Sequence, residues 1–335
     1  WSQKEMNIAP WQPAPGARIR TCKLASGNRL DHTPPPLLAV PFRDYSSGLD
    51  SALSIGDHVG AAAGATDPFP RRSGSRAPAR GRRGSTRGEW WEAKAAPFII
   101  LGDVCTGNCA YGAGAHGTPA PYDPVEPIRL ADAVAQMELQ HVVITSVDRD
   151  DLENGGAEAF AGCITEIKKR LPQTSVEVLI PDFKGSEKAL AIVMEARPDI
   201  LNHNLETVER LYRLARPGGR YPRALQVLAN ARKLVPDGLT KSGIILGLGE
   251  EWDELLHAMR DLRRSDVNIL TLGQYLRPSD GHLPIARYYT PEEFAELKVI
   301  GMEMGFDHVE ASPLTRSSYH AWEQVDQAKA SKANS

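Results

Sequence analysis

The chain is poor in cysteine. Its 335 residues hold four, Cys22, Cys105, Cys109 and Cys163. That is too few to staple a fold of this length, which excludes a disulfide scaffold. The close pair in one loop is read instead as metal or redox chemistry in a reducing compartment, so a cytoplasmic location is expected. No apolar run approaches the roughly 20 residues of a membrane-spanning helix, and no basic segment followed by an apolar core marks a secretory signal. The chain opens on Trp1, the mark of a fragment or an incomplete reading. Charge of neither sign is in excess: 39 Lys and Arg face 42 Asp and Glu, a net charge of −3. With no global basic field, neither nucleic acid nor a membrane surface is an expected partner. What is present, 41% hydrophobic and 24% charged residues, suffices to bury one large core or two smaller ones.

A second absence divides the chain. Residues 1–88 are rich in Pro, Gly, Ala, Ser and Arg, and no acid lies among Arg71, Arg72, Arg76, Arg80, Arg82, Arg83 and Arg87. Such a stretch buries too little apolar surface to offset its conformational entropy. It is read as disordered or as an off-frame translation, with a basic binding arm as the alternative. Residues 89–322 form the expected folded body, and 323–335 a polar tail.

From about residue 96, short β-branched runs alternate with amphipathic segments, the signature of a parallel β/α architecture. Strands are expected at Phe98–Asp103, His141–Ser146, Val176–Pro181, Ile200–Asn204, Ser242–Gly247, Ile269–Gly273 and His308–Glu310. Helices are expected at 130–139, 157–170, 186–196, 206–215, 222–234, 251–265 and 291–305. Before the last of these, Thr290 supplies a cap, Pro291 a first-turn proline and Glu292 and Glu293 early acids. At least six β/α units suit a full or partial TIM-type barrel, whose active site is built by the loops after the strands. Polar residues do recur there: Cys105 and Cys109; Thr145, Ser146, Asp148, Arg149, Asp150 and Asp151; Asp182; Asn202, His203 and Asn204; Gly247, Gly249 and Glu250; Gln274, Tyr275 and Arg277. A pocket at that end is expected.

Two cysteines four apart can reach one iron–sulfur cluster, half a zinc site, or nothing at all. The surrounding strings decide among these. ILGDVCT (100–106), VVITSVDRDDLENGGA (142–157), LNHNLETV (201–208), RPGGRY (216–221), TKSGIILGLGE (240–250), LTLGQYLRPS (270–279), HLPIARYYTPEEF (282–294) and TRSSYHA (315–321), in this order, resemble the lipoyl synthase family of the radical S-adenosylmethionine superfamily. The resemblance spans about residues 96–322. It implies a partial (β/α)6 barrel with terminal extensions, and an enzyme that inserts two sulfur atoms into the octanoyl chain of a lipoyl carrier protein domain. It also implies S-adenosylmethionine, two 4Fe–4S clusters, and an electron donor such as ferredoxin or flavodoxin.

Carried over by position, the resemblance makes Cys105 and Cys109 ligands of the radical cluster and Ser318 a ligand of the auxiliary, sulfur-donating cluster. Thr145, Ser146 and Asp148 fall beside the methionine or ribose part of the cofactor. Gly247, Gly249 and Glu250 fall beside the nucleoside. Asn202, His203 and Asn204 position either substrate or belong to the barrel wall, and Arg216 and Arg277 are candidates to hold a carboxylate. The family's third cluster cysteine, however, is replaced by Gly112, the arginine usual after its Cys-Thr by Gly107, and a valine further along the loop by Gly114. Trp90 stands where the last auxiliary cysteine belongs. His116 is the one nearby side chain able to substitute as an iron ligand. As written, the chain is expected to be inactive or nearly so, as a damaged reading of such a gene would be. The alternatives are a catalytically dead relic that acts at most as a binding scaffold, and a metal-dependent hydrolase built on Asp148, Asp150 and His203.

Overall fold

The computed structural model describes residues 94–107, 110–111 and 115–317, with Ala115 and His116 described by their backbone. The expectations for residues 1–88, Cys22, Trp90, Cys109, Gly112, Gly114, Ser318 and the tail from 323, and any role of the His116 side chain, lie outside the described residues.

Seven strands form one sheet: β1 (Ala95–Ile100), β4 (His141–Ser146), β5 (Ser175–Leu179), β6 (Ile200–Asn202), β7 (Leu239–Leu246), β8 (Ile269–Gln274) and β9 (His308–Ser312). Every neighbouring pair is parallel and the order across the sheet is that of the sequence. Helices cross between strands: α1 (Glu126–Gln136), α2 (Ala157–Arg170), α3 (Glu187–Glu195), α4 (Tyr212–Ala215), α5 (Tyr221–Leu234), α6 (Trp252–Arg264) and α7 (Pro291–Glu303). The result is a partial barrel edged by β1 and β9. Two short strands, β2 (Val104–Cys105) and β3 (Ala115–His116), pair in parallel and close the base of the loop that carries the cysteine pair.

The two faces of the sheet carry different chemistry, as side-chain alternation along strands requires. One set of alternate residues, including Phe98, Ile100, Val142, Ile144, Val176, Val178, Leu201, Ile244, Leu246, Leu270 and Leu272, packs against the helices in the main core. The opposite set includes a small apolar cluster of Ile200, Leu239 and Ile269. Beside it lies a buried polar belt of His141, Glu177, Asn202 and Lys241. Glu177 Oε1 accepts from Asn202 Nδ2 at 2.9 Å and from Lys241 Nζ at 3.1 Å, tying β5, β6 and β7 together.

Strand β4 and helix α2 run as the pattern predicts. Helix α1 begins earlier than expected because Pro127 occupies its first turn. The helix expected at 206–215 is mostly absent. Glu206 has φ +71° and a β-bridge to Ile244. What remains is a 3-10 turn at Glu209–Leu211 followed by the single turn of α4. A residue held left-handed by sheet pairing cannot open a right-handed helix.

Candidate functional site

The strands deliver their polar ends to one cavity of about 240 Å³. Thr145, Ser146, Val147 and Asp148 come from the end of β4, Leu179, Ile180 and Pro181 from β5, and His203, Asn204 and Glu206 from the segment after β6. Cys105 and Tyr111 close it from the cysteine loop, and Arg216 from the end of α4. The expected Cys105, Thr145, Ser146, Asp148, His203, Asn204 and Arg216 are therefore brought together.

Cys105 is bound tightly to the β4 end. Asp148 N–H donates to its Sγ at 3.3 Å. Thr106 donates to the Asp148 carbonyl from both its backbone N–H, at 2.9 Å, and its hydroxyl, at 2.8 Å. The same hydroxyl accepts from Asp150 N–H at 2.9 Å. The Asp148 carboxylate occupies the space that a Cβ at Gly107 would take, so a side chain there would displace that carboxylate. Burial pushes the Cys105 thiol up, and the facing Asp148 charge adds to that; hydrogen bonds from the Asp148 and Gly107 backbone work the other way. Arg149 shapes the loop, reaching the carbonyls of Leu101 and Ala120 at 3.0 Å each while its other donors grip Asp151.

The cavity wall holds polar atoms with no hydrogen-bond partner among the described residues: His203 Nε2, Asn204 Oδ1 and Ser146 Oγ. His203 Nδ1 lies 2.8 Å from the Ile180 carbonyl. A carbonyl can only accept, so the proton sits on Nδ1 and Nε2 presents a lone pair. Burial first, and the Arg216 guanidinium second, hold this imidazole down to about 4, so it is neutral at physiological pH. Burial raises the Glu206 carboxyl, opposed by Arg216 and by hydrogen bonds from Asn204 and Tyr111. The Asn204 amide nitrogen thus serves Glu206 while its oxygen is left over. Burial works against the charge of Arg216, but Tyr111, Tyr212, Glu206 and Asp182 outweigh it and its pKa is raised.

The loop after β7 is placed differently. The Glu250 carboxylate accepts from the backbone N–H groups of Gly247, at 2.7 Å, and Leu248, at 3.0 Å. Beside Gly247 lie the Gln274 amide and the Arg287 carbonyl. Gly247, Gly249 and Glu250 do not line the cavity. Arg277 is also outside it, bonded to the His282 carbonyl at 2.9 Å and paired with Asp280. Tyr111 and Glu206 were not foreseen as cavity residues. Glu206 lies within the quoted 201–208 string, two residues after Asn204, but an acid between Leu205 and Thr207 reads as the solvent face of a helix.

Among the described residues, no group of three or more His, Cys, Asp or Glu is arranged to hold a metal ion. Asp148, Asp150 and His203 therefore do not form a hydrolase metal site. Nor is any described helix long and apolar enough to cross a membrane.

Residues 99–262 match the model of the radical SAM superfamily. The chain is 55% identical over 242 residues to the lipoyl synthase of Rubrobacter xylanophilus, covering 72% of this chain and 75% of that one. It is 53% identical over 242 residues to the lipoyl synthase of Koribacter versatilis, covering 72% and 80%. Against the lipoyl synthase of Bacillus cereus it is 52% identical over 246 residues, covering 73% and 83%. Two solved structures share the fold. Methylornithine synthase has a TM-score of 0.50 and 14% identity, covering 68% of this chain and 75% of that one. The hydrogenase maturase HydG has a TM-score of 0.52 and 16% identity, covering 70% and 54%.

Proposed function

The chain belongs to the lipoyl synthase family, radical S-adenosylmethionine enzymes that use 4Fe–4S clusters, and from that membership we propose that the cavity beside Cys105 is its S-adenosylmethionine site. The observation that carries this reading is the set of acceptors left without a partner among the described residues, on one cavity wall with the half-buried Arg216 guanidinium. Such a wall suits a zwitterionic nucleoside: a carboxylate for Arg216, and hydroxyl and amino donors for Glu206, Asn204 Oδ1 and His203 Nε2. Thr145, Ser146 and Asp148 line the side of the cavity next to Cys105, and Asp148 is held there by its backbone bonds to Cys105 Sγ and the Thr106 hydroxyl. In a family member with a complete cluster, the cofactor held here would supply the radical chemistry that acts on an octanoyl chain. The substrate is a lipoyl carrier domain, with a small ferredoxin- or flavodoxin-like protein as electron donor.

The protein's own part is to hold the cofactor's charges and keep water from them. Arg216 remains protonated, His203 remains neutral, and Tyr111 and Asn204 fix the Glu206 carboxylate. The residues present do not fit a radical cluster held on three thiolates. The loop supplies Cys105 and Cys109, and Gly112 has no side chain to give. The chain as written is therefore a cofactor- and carrier-binding member of the family that does not sustain radical cleavage.

Anaerobic reconstitution tests this. The chain should bind S-adenosylhomocysteine by calorimetry, yet fall short of about four irons per radical cluster and release no 5'-deoxyadenosine under a strong reductant. Gly112→Cys should raise both iron content and cleavage. Full cleavage by the unaltered chain would overturn the reading of the loop, and absence of S-adenosylhomocysteine binding would overturn the reading of the cavity.

A further inference from the structure

From the segment after β6 into the first turn of α5 the sequence concentrates positive charge. Residues 210–223 contain Arg210, Arg213, Arg216, Arg220 and Arg223 and no acid, in a chain of net charge −3. Three of the five are engaged. Arg210 pairs with Glu254 at 2.7 Å and reaches the Gly249 carbonyl at 2.8 Å. Arg223 pairs with Asp182 at 3.1 Å. Arg216 lines the cavity. Arg213 and Arg220 are exposed and make no ion pair among the described residues.

The fold brings these two together. The Tyr212 and Tyr221 rings meet edge to face at 5.7 Å, so their chain neighbours Arg213 and Arg220 flank one compact turn. Leu214, 55% exposed, and Pro217 lie on the same turn. The turn stands on the cavity rim and is anchored on two sides. Ala110 N–H of the cysteine loop donates to the Ala215 carbonyl at 3.0 Å, and Arg210 ties the other side to the loop after β7.

We propose that the turn centred on Arg213, Leu214, Pro217 and Arg220 is the docking surface for an acidic face of the acyl-bearing carrier domain. The inference rests on the family reading above, which requires a protein-bound chain to enter this cavity. Two uncompensated guanidinium groups around an exposed leucine match an acidic rim around a small apolar spot. Because the net charge of the whole chain is −3, the attraction is that of a local patch. It acts within about one Debye length, ~10 Å at 0.1 M salt.

The test uses the full chain and an Arg213→Glu, Arg220→Glu double variant. Three ligands are titrated: an octanoylated lipoyl domain, a short peptide carrying the same octanoyllysine, and S-adenosylhomocysteine. Charge reversal should weaken domain binding by about tenfold or more at low salt, with the gap closing at high salt. Peptide and S-adenosylhomocysteine binding should be unchanged. Equal domain affinity in both proteins overturns the proposal. So does a domain that fails to bind a chain that still binds S-adenosylhomocysteine, or a domain displaced by duplex DNA in preference to excess free carrier. Failure of S-adenosylhomocysteine to bind the unaltered chain instead strikes the family reading of the cavity. Arg213→Gln with Arg220→Gln carries the same comparison if the reversed variant aggregates.

Discussion

Arg216 balances the cavity. It is the cation facing Glu206, Asp182 and the neutral His203, and it reaches the Asn204 carbonyl at 3.4 Å. Replacing it by Leu leaves Glu206 buried without its counter-charge and removes the proposed carboxylate anchor. S-adenosylhomocysteine affinity should fall by roughly 10- to 100-fold, about 1.4–2.8 kcal/mol, and calorimetry checks it. His203 gives a pH signature. Its folded pKa of about 4 lies below the ordinary histidine value near 6.5. Protonation therefore favours the unfolded chain. Stability from this group is full above about pH 6.5 and is lost as pH falls toward 4, by about 3 kcal/mol. His203→Gln should flatten that part of the stability profile in denaturant titrations across the window. The residue scale is also where the sequence was least legible. Glu250 follows a glycine-rich strand end and reads as a cavity residue, yet its carboxylate closes its own loop. Glu206 reads as surface and is buried, because the backbone at 206 turns left-handed to pair with Ile244. Such backbone turns leave no trace in hydrophobic periodicity.

At the scale of elements, much more was legible. Strand β4 matches its expected limits because its β-branched run ends at a charged stretch, and helix α2 because its apolar period is bounded by Gly155, Gly156 and Pro172. The start of α7 was legible for a local reason. Thr290 Oγ1 accepts from Glu293 N–H at 3.2 Å, and Glu293 returns the bond to Thr290 N–H at 2.8 Å. Thr290→Ala should cost about 1 kcal/mol in thermal or chemical denaturation, with S-adenosylhomocysteine affinity unaffected. The buried belt was not legible, since Lys241 and Glu177 sit in strands where alternating polar residues normally face water. Burial opposes both charges. The Lys241 ammonium nevertheless holds Glu177 below the usual carboxylate range. Lys241→Met alone should destabilise by about 3–5 kcal/mol by stranding a buried carboxylate, and adding Glu177→Leu should recover most of it. Additive losses in that double variant would contradict the account.

At the scale of the molecule, the fold and the ligands of the cluster loop are separate matters. The barrel core is built from aliphatic strands and helices, with Cys163 its one cysteine. Gly112→Cys should therefore alter metal content without shifting the melting temperature of the metal-free protein, as differential scanning fluorimetry would show. The sheet has a further property in time. Its strands lie side by side in the order in which they occur along the chain, each pairing with the one made just before it. Synthesis from the N-terminus thus delivers each β/α unit to a waiting edge, and no strand needs to be inserted between two already joined. The strand ends that bear Thr145 and Ile180 precede β7 in the chain, but the segment with His203 and Glu206 takes its backbone partners from β7: His203 N–H donates to the Lys241 carbonyl at 3.1 Å and Glu206 N–H to the Gly243 carbonyl at 2.9 Å. The cavity wall is therefore completed by the arrival of β7, while β8 and β9 are still to join the sheet.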